Sequence, residues 1–242
     1  FPEEMNRQVA SRIAAYHFAP TLKAQENLIK ENIPKENIIV TGNTVIDALF
    51  EGSNRIKILE NKELTALKNK VDFNKRIVLV TGHRRENHGQ GFINICAALK
   101  AIALRNPEVA VIYPVHLNPK VLKPVHALLD GISNIYLVPP LSYPSFVWLM
   151  HQAYLIITDS GGVQEEAPSL GKPVLVMRAT TERPEAVDAG TVILVGTDTN
   201  KIISTTEELL NNADSYKTMS ALHNPYGDGK ACQRIVEFIS NL

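Results

Sequence analysis

From residue 38 onward, short uninterrupted apolar runs alternate with longer stretches whose apolar residues recur at helical spacing. The runs at 38–40, 77–80, 109–114, 135–138, 154–158, 173–177 and 192–195 consist mostly of Val, Ile and Leu, without polar alternation. Strands read that way when helices cover both faces of their sheet. The intervening spacing predicts helices over 91–104, 119–129, 143–151 and 200–210, long enough for right-handed crossovers between parallel strands. The rhythm is βαβ, and it predicts an α/β fold with a doubly wound, Rossmann-like parallel sheet.

The ends of the chain follow a different pattern. The first 50 residues offer a helix opening at Pro2, a short strand near 17–20, a helix over 23–31 and the strand at 38–40, too little to close a core of their own. Residues 54–74 are rich in Lys, Glu and Asn with spaced Ile and Leu, the pattern of an exposed helix and loop. The boundary is expected there, giving a first unit over 1–50, a linker over 51–74 and a main domain over 75–224. Two further helices are predicted over 215–222 and 230–242, separated by the turn-like Asn224-Pro225-Tyr226-Gly227-Asp228-Gly229. The segment 225–242 is expected to pack back on the smaller unit. The chain opens on Phe1 at a helix start, and is expected to begin inside something larger.

Composition removes several classes of function. Lys plus Arg equals Asp plus Glu at 25 each, so no overall field draws nucleic acid or an acidic membrane. Any anionic ligand must be held locally. No apolar run approaches the ~20 residues that span a bilayer. Cys96 and Cys232 both fall in apolar helical patterns, so buried thiols in a reducing, cytoplasmic setting are expected. His17, His88, His126, His151 and His223 show no metal-ligand spacing, and no CxxC, HExxH or EF-hand loop occurs. No G-x-G-x-x-G follows a strand, which argues against a nicotinamide-dependent reaction. Neither metal nor cofactor is expected.

The candidate chemistry sits where strands end. In Thr158-Asp159-Ser160-Gly161-Gly162-Val163-Gln164-Glu165-Glu166, three small residues join a buried strand to a helix. Ser160, Gly161 and Gly162 leave backbone N–H groups uncovered where the helix dipole points outward, a socket that fits a diphosphate. One of Glu165 and Glu166 is close enough to accept hydrogen bonds from a ribose diol, although acidic residues also favour a first helical turn through the dipole alone. Gly82-His83-Arg84-Arg85-Glu86-Asn87 follows another strand. Ligands of open α/β sheets bind outside the strands' carboxyl ends, so His83 is a candidate to donate a proton to a leaving group, and its arginines to bind phosphate. Solvated surface charge is the alternative for that loop. Thr180-Thr181-Glu182-Arg183-Pro184 adds Arg183 for phosphate oxygens and two hydroxyls, or else merely caps a short helix opened by Pro184. His116 also ends a strand, where a packing role is usual. Phe146 opens a helix in the same layer and is placed either to flank a uracil ring or to fill core.

Taken together these strings resemble a known family. GHRREN at 82–87, YPVHLNP at 113–119, TDSGGVQEEAPSLGKPVLVMR at 158–178, TTERPEAV at 180–187, GTVILVGTD at 190–198 and NPYGDG at 224–229 are similar to those of the non-hydrolysing UDP-N-acetylglucosamine 2-epimerases. FPEEMNR at 1–7 and YHFAPT at 16–21 continue the likeness over nearly the whole chain.

The resemblance implies the second domain of a two-domain, B-type glycosyltransferase-like fold, with residues 1–50 as the remnant of the first domain, whose earlier strands are absent. It implies interconversion of UDP-GlcNAc and UDP-ManNAc by elimination and re-addition of UDP through 2-acetamidoglucal. Glu3 and His83 are then the catalytic positions retained. Arg7, Phe146, Ser160, Gly161, Gly162, Glu166 and Arg183 contact the UDP-sugar, with Glu166 on the ribose. Arg84 and His116 match a regulatory UDP-GlcNAc site. A homodimer and a role in making surface polysaccharides are implied as well. Two readings stay open beside it: a UDP-sugar-binding glycosyltransferase domain, and a hydrolysing epimerase that releases ManNAc.

Overall fold

The computed structural model of the protein describes residues 2–56 and 61–242. It divides into two compact units, one formed by residues 1–51 with 225–242 and the other by residues 52–224. In chain order the first unit contains α1 (Glu3–Ile13), β1 (His17–Ala19), α2 (Leu22–Lys30), β2 (Ile38–Val40) and the start of α3 (Thr44–Arg55). The larger unit carries α4 (Lys62–Lys70), β3 (Arg76–Thr81), α5 (Gln90–Arg105), β4 (Val109–Pro114), α6 (Pro119–Leu129), β5 (Ile135–Val138), α7 (Tyr143–Gln152) and β6 (Ala153–Thr158). After β6 come α8 (Gly161–Glu166), β7 (Val174–Val176), α9 (Pro184–Asp188), β8 (Val192–Leu194), α10 (Thr199–Asn211) and α11 (Ala213–Ser220). The final helix, α12 (Ala231–Ser240), belongs to the first unit.

In the smaller unit β1 and β2 pair in parallel over a small core of Ala19, Ile33 and Ile38. The ring of Phe238 packs edge-on against Tyr16 and Phe18, and the Asp47 carboxylate accepts hydrogen bonds from the backbone N–H groups of Ala231 and Cys232. That carboxylate supplies the start of α12 with an acceptor its own sequence lacks. Gly229 has φ +78°, and a Cβ there would run into the Phe50 ring, so any side chain at that turn would be strained.

The larger unit is a six-stranded, all-parallel sheet in the order β5-β4-β3-β6-β7-β8. Strand order therefore runs outward from β3 in one direction and from β6 in the other, the doubly wound arrangement expected from the sequence. Val78, Leu79 and Val80 of β3, Val111 and Ile112 of β4 and Leu155, Ile156 and Ile157 of β6 are completely buried, with Phe92, Ile95, Leu99 and Ile102 of α5. At about 1.5–3 kcal/mol for each such side chain, the sheet carries the stability and its edge loops are left to carry charge.

Two expectations need correction. Cys96 is buried, and burial pushes its thiol up to about 12, but Cys232 is exposed. The inner face of α12 is set by Ala231, Ile235 and Phe238, and residue 232 falls off that stripe. The 54–74 stretch is also less exposed than its composition suggests. Its residues 57–60 lie outside the described residues, but α4 buries Leu64 and Leu67. The side chain of Glu63 accepts hydrogen bonds from Ser142, and Lys70 donates to the Leu137 carbonyl. Helix α3 went unassigned from the sequence because Thr44-Val45-Ile46 opens it with β-branched residues that favour strands.

Candidate active site

The direction of the strand order reverses between β3 and β6, and there the candidate residues gather. Thr81 and Thr158, the last residues of these two strands, are register partners, and their hydroxyls are 2.6 Å apart. The two loops that leave from this pair are tied together by Asp159, a wholly buried carboxylate. Its Oδ2 accepts hydrogen bonds from the backbone N–H groups of His83 and Arg84, each at 2.8 Å, and from the Asn87 side-chain amide. The loop after β3 is therefore aimed through its backbone, and its charged side chains are not simply scattered over the surface.

Helix α8 starts at Gly161 with its dipole pointing out of the same edge. A Cβ placed on Gly161 would lie 3.6 Å from Arg183 Nη2 and 3.9 Å from Arg84 Nη2. Two guanidinium groups and a helix N-terminus thus converge on one point, an arrangement that suits an anion with two or more negative charges. Ser160 precedes the helix and makes no side-chain capping bond, while its N–H donates to the Thr158 hydroxyl. Gly162 is exposed beside it.

Arg183 is the positional N-cap of α9 but makes no capping bond there. Its Nε donates to Glu165 instead, so the capping role allowed by the sequence is not the one adopted. Thr181 donates to Gln164 and accepts from the Arg183 N–H, and Gln164 in turn donates to the Ser160 carbonyl. The hydroxyl of Thr181 is committed to holding the loop. Arg178, 6 % exposed, bridges Glu86 of the loop after β3 and Glu182 of the loop after β7. Hydrogen bonding to Arg178 lowers the Glu182 carboxyl to about 2.

The two neighbouring glutamates have separate partners. Glu165 holds Arg183, whereas Glu166, also buried, accepts a 2.6 Å hydrogen bond from the Tyr143 hydroxyl. Burial raises Glu166 above the ordinary carboxylate range, with the Tyr143 bond opposing and the nearby Glu165 charge adding to the rise. At the carboxyl ends of the strands lies a cavity of about 230 Å³ lined by His83, His116, Pro140, Leu141, Phe146 and Ser160, among others. The rings of His83 and His116 stack, with centroids 5.4 Å apart. A second, more polar cavity of about 460 Å³ is lined by His83, Arg84, Arg85, Glu86, His116 and Asn118.

The larger unit thus brings together His83, Arg84, His116, Phe146, Ser160, Gly161, Gly162, Glu166 and Arg183. Glu3 and Arg7 lie in the other unit, on α1. Arg7 is clamped by Glu4 and Glu31 through four hydrogen bonds, and its presence draws Glu4 down to about 2. Sequence reasoning did not single out Asp159, Tyr143 or the Glu86–Arg178–Glu182 bridge. Asp159 carried a usable signal, a charge placed directly after an uninterrupted apolar strand. The other two depend on contacts between residues 23 and 92 positions apart.

Fold and site together define a doubly wound, Rossmann-like α/β domain with a cationic socket at the switch in strand order. The chain belongs to the UDP-N-acetylglucosamine 2-epimerase family, whose model matches residues 1–240. A UDP-N-acetylglucosamine 2-epimerase of Campylobacter jejuni is 56% identical over 99% of this chain and 64% of its own length. One from Yersinia pestis is also 56% identical, over 100% of this chain and 65% of its own length. The crystal structure of the Neisseria meningitidis UDP-GlcNAc 2-epimerase bound to UDP-GlcNAc superposes with a TM-score of 0.90 at 45% identity, covering 100% of this chain and 66% of that one. The chain therefore spans somewhat less than two thirds of these relatives. Among the described residues, no helix is long and apolar enough to cross a membrane, and no cluster of three or more His, Cys, Asp or Glu could hold a metal.

Proposed function

We propose that this chain holds the UDP portion of the substrate in the interconversion of UDP-GlcNAc and UDP-ManNAc, and that the reaction proceeds by elimination and re-addition. The observation that carries the reading is the convergence of Arg84, Arg183 and the start of α8 on one point, beside His83 and an apolar cavity. The diphosphate lies on Ser160, Gly161 and Gly162 against Arg183. The ribose diol donates to Glu166, which Tyr143 holds in place, and Phe146 flanks the uracil.

The chemistry demands such a socket. The C2 proton of the sugar has no adjacent carbonyl and is not acidic enough for simple removal near neutral pH. In the elimination a carboxylate takes the C2 proton while the C1–O bond breaks, a C1=C2 double bond forms, and the electron pair leaves on the β-phosphate of UDP. The products, 2-acetamidoglucal and UDP, recombine with a proton delivered to the opposite face of C2. No net oxidation occurs. His83 donates a proton or a hydrogen bond to the departing phosphate, and the guanidinium groups stabilise its charge. Glu3 is proposed as a catalytic carboxylate and Arg7 as a sugar contact, both from the family motif. Arg84 and His116 line the polar cavity proposed to take a second, regulatory UDP-GlcNAc. A homodimer is carried over from the family, and a cytoplasmic site of action is proposed from the cysteine usage of the sequence.

About a third of each relative's length has no counterpart in these 242 residues. Turnover is accordingly assigned to the protein expressed from its whole reading frame, and the 242 residues alone are expected to bind UDP weakly and epimerise little. Calorimetry with UDP and a product assay by chromatography test this directly. Release of free ManNAc, transfer of the sugar to an acceptor, or brisk epimerisation by the 242 residues alone would each overturn it.

A further inference from the structure

A polar atom at the heart of the site is left without a partner. Asp159 is wholly buried, yet its Oδ1 finds no hydrogen-bond partner among the described residues. Leaving such an atom unsatisfied is costly, so it calls for an explanation. His83 Nδ1 faces it from 3.5 Å away. The other carboxylate oxygen already fixes the backbone of His83 at 2.8 Å. One side chain therefore grips the histidine's main chain while facing its imidazole.

We infer that Asp159 is a positioning residue for His83, which donates Nδ1–H to Asp159 Oδ1 and so presents Nε2 to the ligand. This rests on the role proposed above for His83. A buried carboxylate on Nδ1 fixes the tautomer and the orientation of the ring. The 3.5 Å separation is somewhat longer than a formed hydrogen bond. The neighbouring groups are compatible with this. The imidazole of His116 stacks on His83 rather than competing for Nδ1, because its own Nδ1 accepts from the Asn118 N–H. Arg84, whose N–H shares the same Asp159 oxygen, turns its guanidinium toward Gly161.

The test is the tautomer of His83, read from ¹⁵N shifts in the ¹⁵N-histidine-labelled protein expressed from its whole reading frame. Its signal is assigned by its loss in H83Q. With the ring neutral, the proton is expected on Nδ1 in the wild type and on Nε2 in D159N, whose amide offers an N–H to the ring. A proton on Nε2 in the wild type overturns the inference, and needs no variant to do so. So does an unchanged tautomer in folded D159N. In turnover, D159N is expected to lose about 10²-fold or more in kcat with KM within about threefold. The double variant D159N/H83Q should be no slower than H83Q alone. Additive losses would assign Asp159 a merely structural role. Failure of the wild type to epimerise would reject the proposed function instead, while the ¹⁵N measurement would still decide the pairing.

Discussion

The two halves of the site are built in opposite ways. Beyond β6 and β7, side chains lock one another: Arg183 to Glu165, Tyr143 to Glu166, Thr181 to Gln164 and Gln164 to the Ser160 carbonyl. Beyond β3 and β4, one buried carboxylate holds the loop by its backbone, and His83 and His116 extend into the cavities. A side-chain lattice suits the static task of gripping a nucleotide diphosphate. A loop fixed through its backbone leaves the side chains available for chemistry. Substitutions in the first half should therefore cost affinity, and those in the second should cost turnover.

The largest expected effect lies in the second half. H83A is expected to lower kcat by about 10²–10⁴-fold while UDP binding changes only a few-fold. An equal loss of both would erase the contrast. In the first half, R183M is expected to weaken UDP binding by roughly 10–100-fold, since it removes a charge-assisted contact to the diphosphate and breaks the Arg183–Glu165 ion pair that orients the guanidinium. Calorimetry measures it, and unchanged affinity would break the comparison from the other side.

E166Q should weaken UDP binding roughly tenfold and also alter its pH dependence. Glu166 is raised from 4.5, chiefly by burial, so its contribution to stability is full at low pH and is lost as pH rises through the raised value. Binding runs the other way, because the ribose needs the ionised acceptor. UDP affinity of the wild type should weaken as pH falls through that value, and E166Q should abolish the dependence. The smallest effect belongs to the Arg178 bridge. Glu182 is depressed from 4.5 to about 2, so its stabilisation is present above pH 4.5 and fades as pH falls toward 2. Because Glu182 is mostly exposed, the gap between wild type and E182Q in urea unfolding should be small at pH 7 and smaller still at pH 3.

The sheet was legible in the sequence because its strands are buried on both faces and carry a continuous apolar signal. Runs 109–114 and 135–138 match β4 and β5 end to end. The strand, turn and helix that frame the proposed socket were legible too, since Thr158, the small residues and the glutamates are contiguous. The wiring was not. Which of Glu165 and Glu166 meets Arg183 depends on the rotation of a six-residue helix, and the answer lies in tertiary contacts. Asp159 drew no attention as a separate residue, although a lone charge ending a buried strand must find partners or remain a liability. Cys232 was misplaced because an apolar neighbourhood does not say which face of a helix turns inward.

The central claim is that this site holds UDP while the sugar passes through an eliminated intermediate. It is tested most directly by epimerising UDP-GlcNAc in D₂O with the protein expressed from its whole reading frame and reading C2 of the product by NMR. Deuterium at C2, with 2-acetamidoglucal and UDP appearing on prolonged reaction, is the result expected. Retention of the original hydrogen at C2 through turnover would contradict it.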